Sequence, residues 1–165
     1  MSTDPSSTDP PRLTHVDEAG RARMVDVSGK DVTVRSATAR GRVLCSAAVV
    51  AALRGAGVPK GDALAVARIA GIQAAKRTPE LVPLAHPVAV HAVVLELEVD
   101  DDGVSIEATV TAADRTGVEM EALTSVAVCA LALVDMVKAV DRATRITDVR
   151  VVAKSGGRSG DWRAD

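Results

Sequence analysis

The 165-residue chain has no phenylalanine, no tyrosine and a single tryptophan, Trp162. A core without aromatics must be built from Ala, Val, Leu and Ile, which bury little area each. Stability then leans on extensive helix–sheet packing or on subunit interfaces. The same lack removes the stacking platforms with which proteins hold single strands and RNA bases. Positive charge is not in excess either: 20 Lys and Arg stand against 22 Asp and Glu, a formal net charge of −2. Nucleic acid is therefore not expected as a partner. Cysteine is scarce. Cys45 and Cys129 lie in apolar helical stretches without CxxC spacing or neighbouring histidines, so no structural zinc site is expected and both read as small buried hydrophobes in a reducing compartment. The longest apolar run, Val126–Val134, falls far short of the about 20 residues a membrane-spanning helix needs. Residues 1–12 are rich in Ser, Thr, Asp and Pro and hold no apolar signal segment, which reads as a disordered tail. A soluble, cytoplasmic protein with no membrane partner is the expectation.

What is present suits one globular domain over residues 13–160, followed by a C-terminal tail from 161 to 165. Arg21–Val27 reads as a short extended piece. Asp31–Val43 is rich in β-branched residues and reads as a strand. Cys45–Arg54 is helical in composition and stops at the Gly55–Pro59 segment. Asp62 is a candidate N-cap for a second helix running to about Lys76 and halted before Pro79. From Val88 the apolar period becomes two, with Val93, Leu95, Leu97 and Val99 on one face. An Asp100–Gly103 turn and a returning strand complete a hairpin. Thr116–Val140 reads as a long helix, apolar nearly all round between Ala122 and Val134. Ile146–Ala153 is a last strand before the Gly/Ser-rich segment Lys154–Gly160. Strand, helices, strand, strand, helix, strand is the order of an α+β, ferredoxin-like split βαβ fold, with an antiparallel sheet and helices on one face. A long helix with so little polar surface suggests cover from another subunit.

Several polar residues stand where hydrophobic patterning does not place them. His86 lies between Pro83 and Pro87, which stiffen the backbone and aim its ring; a packing histidine is the alternative. Glu119 and Glu121 flank Met120 at the start of the long helix. Residues two apart on a helix do not share a face, though an extended first turn would align them, and the helix dipole alone favours carboxylates there. Asp135 and Lys138 are spaced i, i+3, as a structural ion pair or as an acid/base couple. Lys60 precedes a helix N-terminus in Pro59–Asp62, a place suited to anions or simply to a solvated charge. Lys154–Gly160 is cationic and glycine-rich but lacks the Walker A order. No metal-ligand cluster and no Ser/His/Asp or Cys/His arrangement is evident. Together these residues describe phosphate-linked small-molecule chemistry without naming the reaction.

Five segments resemble the cyclic pyranopterin monophosphate synthase family, the MoaC proteins, in that family's order: Leu13–Val27, Lys60–Pro87, Thr116–Thr124, Asp135–Val140 and Ala153–Gly160. The resemblance implies a ferredoxin-like subunit in a homohexamer, a trimer of dimers, with active sites at subunit boundaries. It implies a small-molecule substrate, 3′,8-cyclo-7,8-dihydro-GTP, converted to cyclic pyranopterin monophosphate and pyrophosphate in molybdenum cofactor biosynthesis. Carried over position by position, Lys60 and Lys138 match the family's essential lysines and Asp135 its catalytic aspartate. Leu84, Ala85 and His86 match one substrate-binding segment, and Glu119, Met120 and Glu121 the other. Lys154 matches the tail lysine and Arg35 a phosphate-binding arginine. Many relatives have Cys at the place of Ala85 and Lys at that of Arg158, so a thiol is not required here and phosphate contacts in the tail differ in geometry.

The roles implied place Arg35, Lys60 and Lys154 on the triphosphate. Lys138, tuned by Asp135, becomes the general acid/base, while His86 and the two glutamates orient the pterin and ribose. No cofactor is required by the sequence; Mg2+ can assist pyrophosphate departure, but no sequence feature demands it. The rival expectation is a non-catalytic, ligand-sensing ferredoxin-like oligomer.

Overall fold

The computed structural model describes residues 13–55, 62–158 and 160–164. Its elements run β1 (Thr33–Leu44), α1 (Ala47–Arg54), α2 (Ala63–Ala75), α3 (Thr78–Leu81), β2 (Val90–Val99), β3 (Gly103–Asp114), α4 (Glu119–Val137), β4 (Arg145–Ser155) and β5 (Trp162–Arg163). The strands form one antiparallel sheet in the order β2-β3-β1-β4-β5. This is the α+β, ferredoxin-like arrangement, extended by one short strand.

Alternation along the central strands decides which face is covered. Ala37, Ala39 and Val43 of β1 are buried, as are Val104, Ile106, Ala108, Val110 and Ala112 of β3. Ser36, Thr38, Arg40 and Arg42, together with Ser105, Glu107 and Thr109, fall on the opposite face. There Arg40 pairs with Glu107, and Arg42 with Asp100 and Asp102. α4 lies across β1, β3 and β4 and against α2, with Val126, Cys129, Ala130, Leu133 and Val137 buried. Its 19 residues and mean hydropathy of 1.8 would suffice, by length and composition, to cross a bilayer. Packing on the sheet and on α2 accounts for that apolarity: this is the core helix, longer in apolar character than the Val126–Val134 run alone indicates.

Small residues set the spacing of the two large helices. A β-carbon on Gly71 of α2 would lie 2.5 Å from Leu95 Cδ1, 2.8 Å from Ser125 O and 2.9 Å from Cys129 Cβ. Gly71→Ala should therefore destabilise the fold by about 1–3 kcal/mol, since overpacking outweighs the better helix propensity of alanine. Chemical denaturation would read this as a lower midpoint at unchanged slope.

Element boundaries differ from the sequence expectations for local reasons. Asp62 caps α2, its Oδ1 accepting the Ala65 N–H at 2.9 Å. The helix ends at Ala75, but Pro79 does not stop helicity; it occupies the first turn of α3, where its missing N–H has no intrahelical acceptor to lose. Arg21–Val27 is irregular apart from a bridge between Val16 and Ala22. The long helix starts at Glu119 rather than Thr116, without a side-chain cap at Val118. Residues 162–163 of the expected tail form β5, pairing with Ala153 and Lys154. Neither cysteine is in a disulfide. Burial pushes the Cys129 thiol up to about 12, in keeping with an inert core residue.

Candidate active site

Three strand ends converge because of the sheet order. Thr33, at the start of β1, faces Asp114 at the end of β3, and Ser36 faces Ser155 at the end of β4. These strand ends and the connections that leave them carry cations. Lys30, Arg35, Arg115, Lys154 and Arg158 line one cavity of about 480 Å³. Arg115 Nε donates to the Lys30 carbonyl at 2.9 Å, tying the loop before β1 to the turn after β3.

Arg35 is held from above. Gly156 and Gly157 have φ of +87° and +78°, a region that favours glycine. A β-carbon on Gly157 would overlap the Arg35 guanidinium, and one on Gly156 would overlap the Val34 carbonyl. The Arg35 Nε is buried without a hydrogen-bond partner. Orphaned buried donors are rare, and a bound ion or ligand is one partner that can satisfy them.

A second cavity, of about 490 Å³, adjoins the first and shares Lys30, Thr116, Gly117 and Glu119 with it. Leu84, Ala85, His86, Met120 and Glu121 line it, with Thr14 and His15 from the N-terminal segment. His86 Nε2 donates to the Val25 carbonyl at 2.7 Å. A carbonyl only accepts, so in the neutral ring Nδ1 is the acceptor available to a ligand. Glu119 and Glu121 do not share a helical face, yet both line this cavity. It sits end-on to α4, so different sides of the first turn reach it. Glu119 Oε1 lies 3.4 Å from Lys154 Nζ, linking the two compartments.

Glu121 is 2% exposed. Burial pushes its carboxyl above the ordinary glutamate value; its own backbone N–H pulls the other way, and Glu119 and Asp114 add to the rise. The folded state thus binds this proton more tightly than the unfolded chain. The cost is absent below the ordinary value of 4.5 and grows as pH rises through the folded value. Glu121→Gln should accordingly raise the unfolding temperature by a few degrees at pH 8, given about 1–3 kcal/mol for an under-compensated buried polar group. The gain should vanish below the ordinary glutamate value; a pH series of thermal melts on both proteins checks it.

Asp135 and Lys138 are not brought to these cavities. Lys138 Nζ lies 2.5 Å from Asp135 Oδ1, with the side chains 59% and 57% exposed. The pair stands at the far end of α4, Asp135 about 24 Å and Lys138 about 28 Å from Glu119 at about 1.5 Å per residue. Within one chain these groups and the two cavities cannot act on one small molecule. Lys60 lies outside the described residues.

A profile of the MoaC family matches residues 24–157. The chain belongs to the MoaC family. Relatives bear the name cyclic pyranopterin monophosphate synthase. One from Nocardioides sp. is 67% identical over 159 residues, 94% of this chain and 98% of the relative. One from Streptomyces coelicolor is 70% identical over 151 residues, 92% of this chain and 89% of the relative. A Mycobacterium bovis relative, cyclic pyranopterin monophosphate synthase 3, is 58% identical over 152 residues, 92% and 86% of the two chains.

In this MoaC-family chain the structure joins Arg35, Lys154, Leu84, Ala85, His86, Glu119, Met120 and Glu121 into one continuous pair of cavities. It adds residues that sequence reading did not single out: Lys30, Arg115, Thr14 and His15. Lys30 and Arg115 were marked only by position, as cations flanking predicted strands, while Thr14 and His15 lie in the resembling segment Leu13–Val27. A larger groove, about 940 Å³, runs over the open sheet face and holds both Arg40 and Arg42 with Glu96, Glu98 and Glu107. Arg40, Arg42 and Arg150 are paired to carboxylates there, and Arg68 donates to the Leu95 carbonyl.

Proposed function

We propose that the chain is a cyclic pyranopterin monophosphate synthase, converting 3′,8-cyclo-7,8-dihydro-GTP to cyclic pyranopterin monophosphate with release of pyrophosphate. One observation carries this reading: a cationic cavity lined by Lys30, Arg35, Arg115, Lys154 and Arg158 opens into a cavity lined by hydrogen-bonding and apolar groups. That division suits a ligand with a polyphosphate at one end and a fused nitrogen heterocycle at the other.

In this reading Arg35 and Lys154 hold the phosphate groups and stabilise charge on the departing pyrophosphate. Lys60 joins them. His86 Nδ1 accepts from a heterocycle N–H, Glu119 and Glu121 fix the opposite edge, and Met120 with Leu84 and Ala85 supplies apolar contact. Lys138, its ammonium held by Asp135, transfers protons during ring opening and reclosure. Because the Asp135–Lys138 pair stands about 24–28 Å away along α4, a neighbouring copy supplies it. The enzyme is then a homo-oligomer with sites at subunit boundaries, a hexamer built as a trimer of dimers, working in the cytoplasm. Among the described residues no group of three His, Cys, Asp or Glu is placed to hold a metal ion; Mg2+ would assist as a counter-ion of the polyphosphate.

Incubation of the purified protein with enzymatically prepared cyclo-dihydro-GTP tests the proposal. Pyrophosphate should appear together with the fluorescent pterin formed on oxidation of the product. A folded oligomer that binds the substrate and releases neither would be a ligand-sensing module instead.

A further inference from the structure

β4 ends at Ser155, after which the backbone doubles back through Gly156 and Gly157. Gly160, with φ +62°, donates its N–H to the Gly157 carbonyl at 3.2 Å. Asp161 then turns its carboxylate inward, Oδ1 accepting the Gly156 N–H at 3.1 Å. Immediately afterwards Trp162 and Arg163 pair with Lys154 and Ala153, and the Ala164 N–H reaches the Val152 carbonyl at 2.8 Å. The far end of the turn is thereby fastened to its near end, by one carboxylate and a two-residue strand.

Beneath the turn lies the Arg35 guanidinium, so close to Gly157 that a β-carbon there would sit 2.5 Å from Cζ and 3.1 Å from Nη2. The Arg35 Nε has no hydrogen-bond partner of its own, so its orientation depends on what packs over it. Asp161 itself is an exposed acid beside a cavity lined by Lys30, Arg35, Lys154 and Arg158. A carboxylate there opposes anion binding by Coulomb repulsion. Its placement makes sense through the N–H it holds, not through a ligand it attracts.

We propose that Asp161 is a positioning residue of the phosphate cavity: by accepting the Gly156 N–H it keeps the Gly156–Gly157 turn pressed on Arg35 and so aims that guanidinium at the pyrophosphate portion of the substrate. This rests on the synthase reading. Asp161 touches no substrate; its whole effect passes through Arg35.

Trp162 gives a readout independent of turnover. With no tyrosine and no second tryptophan in the chain, the emission of the intact protein reports from this corner alone. Inorganic pyrophosphate titrated into the wild type should shift that emission saturably. Asp161→Ala should weaken pyrophosphate about tenfold, the size expected for one lost charge-assisted hydrogen bond. Asp161→Asn keeps an acceptor oxygen and should stay within about threefold of the wild type. In an Arg35→Ala background the Asp161→Ala change should add less than about twofold, because residues acting through one another are not additive. Wild-type affinity in Asp161→Ala, full additivity with Arg35→Ala, or an Asn variant as weak as the Ala variant overturns the proposal. Coupled pyrophosphate binding in a protein that leaves cyclo-dihydro-GTP unchanged rejects the synthase reading alone. Turnover without the coupling rejects the role of Asp161 alone.

Discussion

Replacing Lys138 by Ala should lower turnover by at least about 10³-fold, the upper range for loss of a general acid/base, while leaving the fold intact. The side chain is 59% exposed and its ion pair with Asp135 is likewise open to solvent. Exposed pairs contribute at most about 1 kcal/mol, so the unfolding temperature should move by no more than a few degrees. The geometry adds a sharper expectation. Lys138 and Lys154 stand at opposite ends of α4, and under the two-chain reading each site takes one of them from each copy. Lys138→Ala and Lys154→Ala should each be inactive alone. Refolded together at equal amounts, they should regain about a quarter of wild-type activity, the fraction of two-chain sites that draw both intact residues from a symmetric oligomer. Mixed preparations as inactive as the separate variants would place both lysines of a site on one chain and overturn the two-chain reading.

Gly157→Ala should lower kcat/KM by about 100-fold, the scale of a misplacement of about 1 Å at a catalytic group. Two obstacles act at once. The residue sits at φ +78°, where a side chain adds strain of about 1–3 kcal/mol, and the new methyl group meets the Arg35 guanidinium. Gly20→Ala separates them: Gly20 has φ +77° but nothing within 4 Å of a would-be β-carbon. That variant should share the strain and keep its activity. Steady-state kinetics beside thermal melts of the two proteins decide the matter; a Gly157→Ala enzyme within threefold of the wild type would remove Arg35 from phosphate binding.

Much of the architecture was legible because it depends on local patterning. Asp62 announced the N-terminus of α2 by being the right side chain ahead of an apolar run, and its carboxylate does cap Ala65. Period-two alternation from Val93 to Val99 and the Asp100–Gly103 turn specified the β2–β3 hairpin, whose register pairs Val99 with Val104. What local patterning leaves open is how a helix end is used. Glu119 and Glu121 read as residues on different faces, and so they are; only the end-on seat of the second cavity lets both reach it. Met120, 40% exposed, joins them for the same reason. Likewise nothing around Thr116 says that the helix waits until Glu119, leaving Thr116 and Gly117 to line both cavities.

By itself, then, the amino-acid sequence determined the four long strands, the helices α1, α2 and α4 and their order, though not α3 or β5, because those longer elements follow from side-chain period, caps and turns within a few residues. Tertiary structure alone decided which of these segments share a site. Placing β1 between β3 and β4 brings Lys30, Arg35, Arg115 and Lys154 together across 124 residues of chain, from 30 to 154. The length of α4 sets Lys138 about 28 Å along the helix from Glu119, which contacts Lys154, although in sequence Lys138 is nearer to Lys154 than Arg35 is. Sheet pairing ignores distance along the chain, and a helix converts each residue into a fixed rise; neither can be read from a motif.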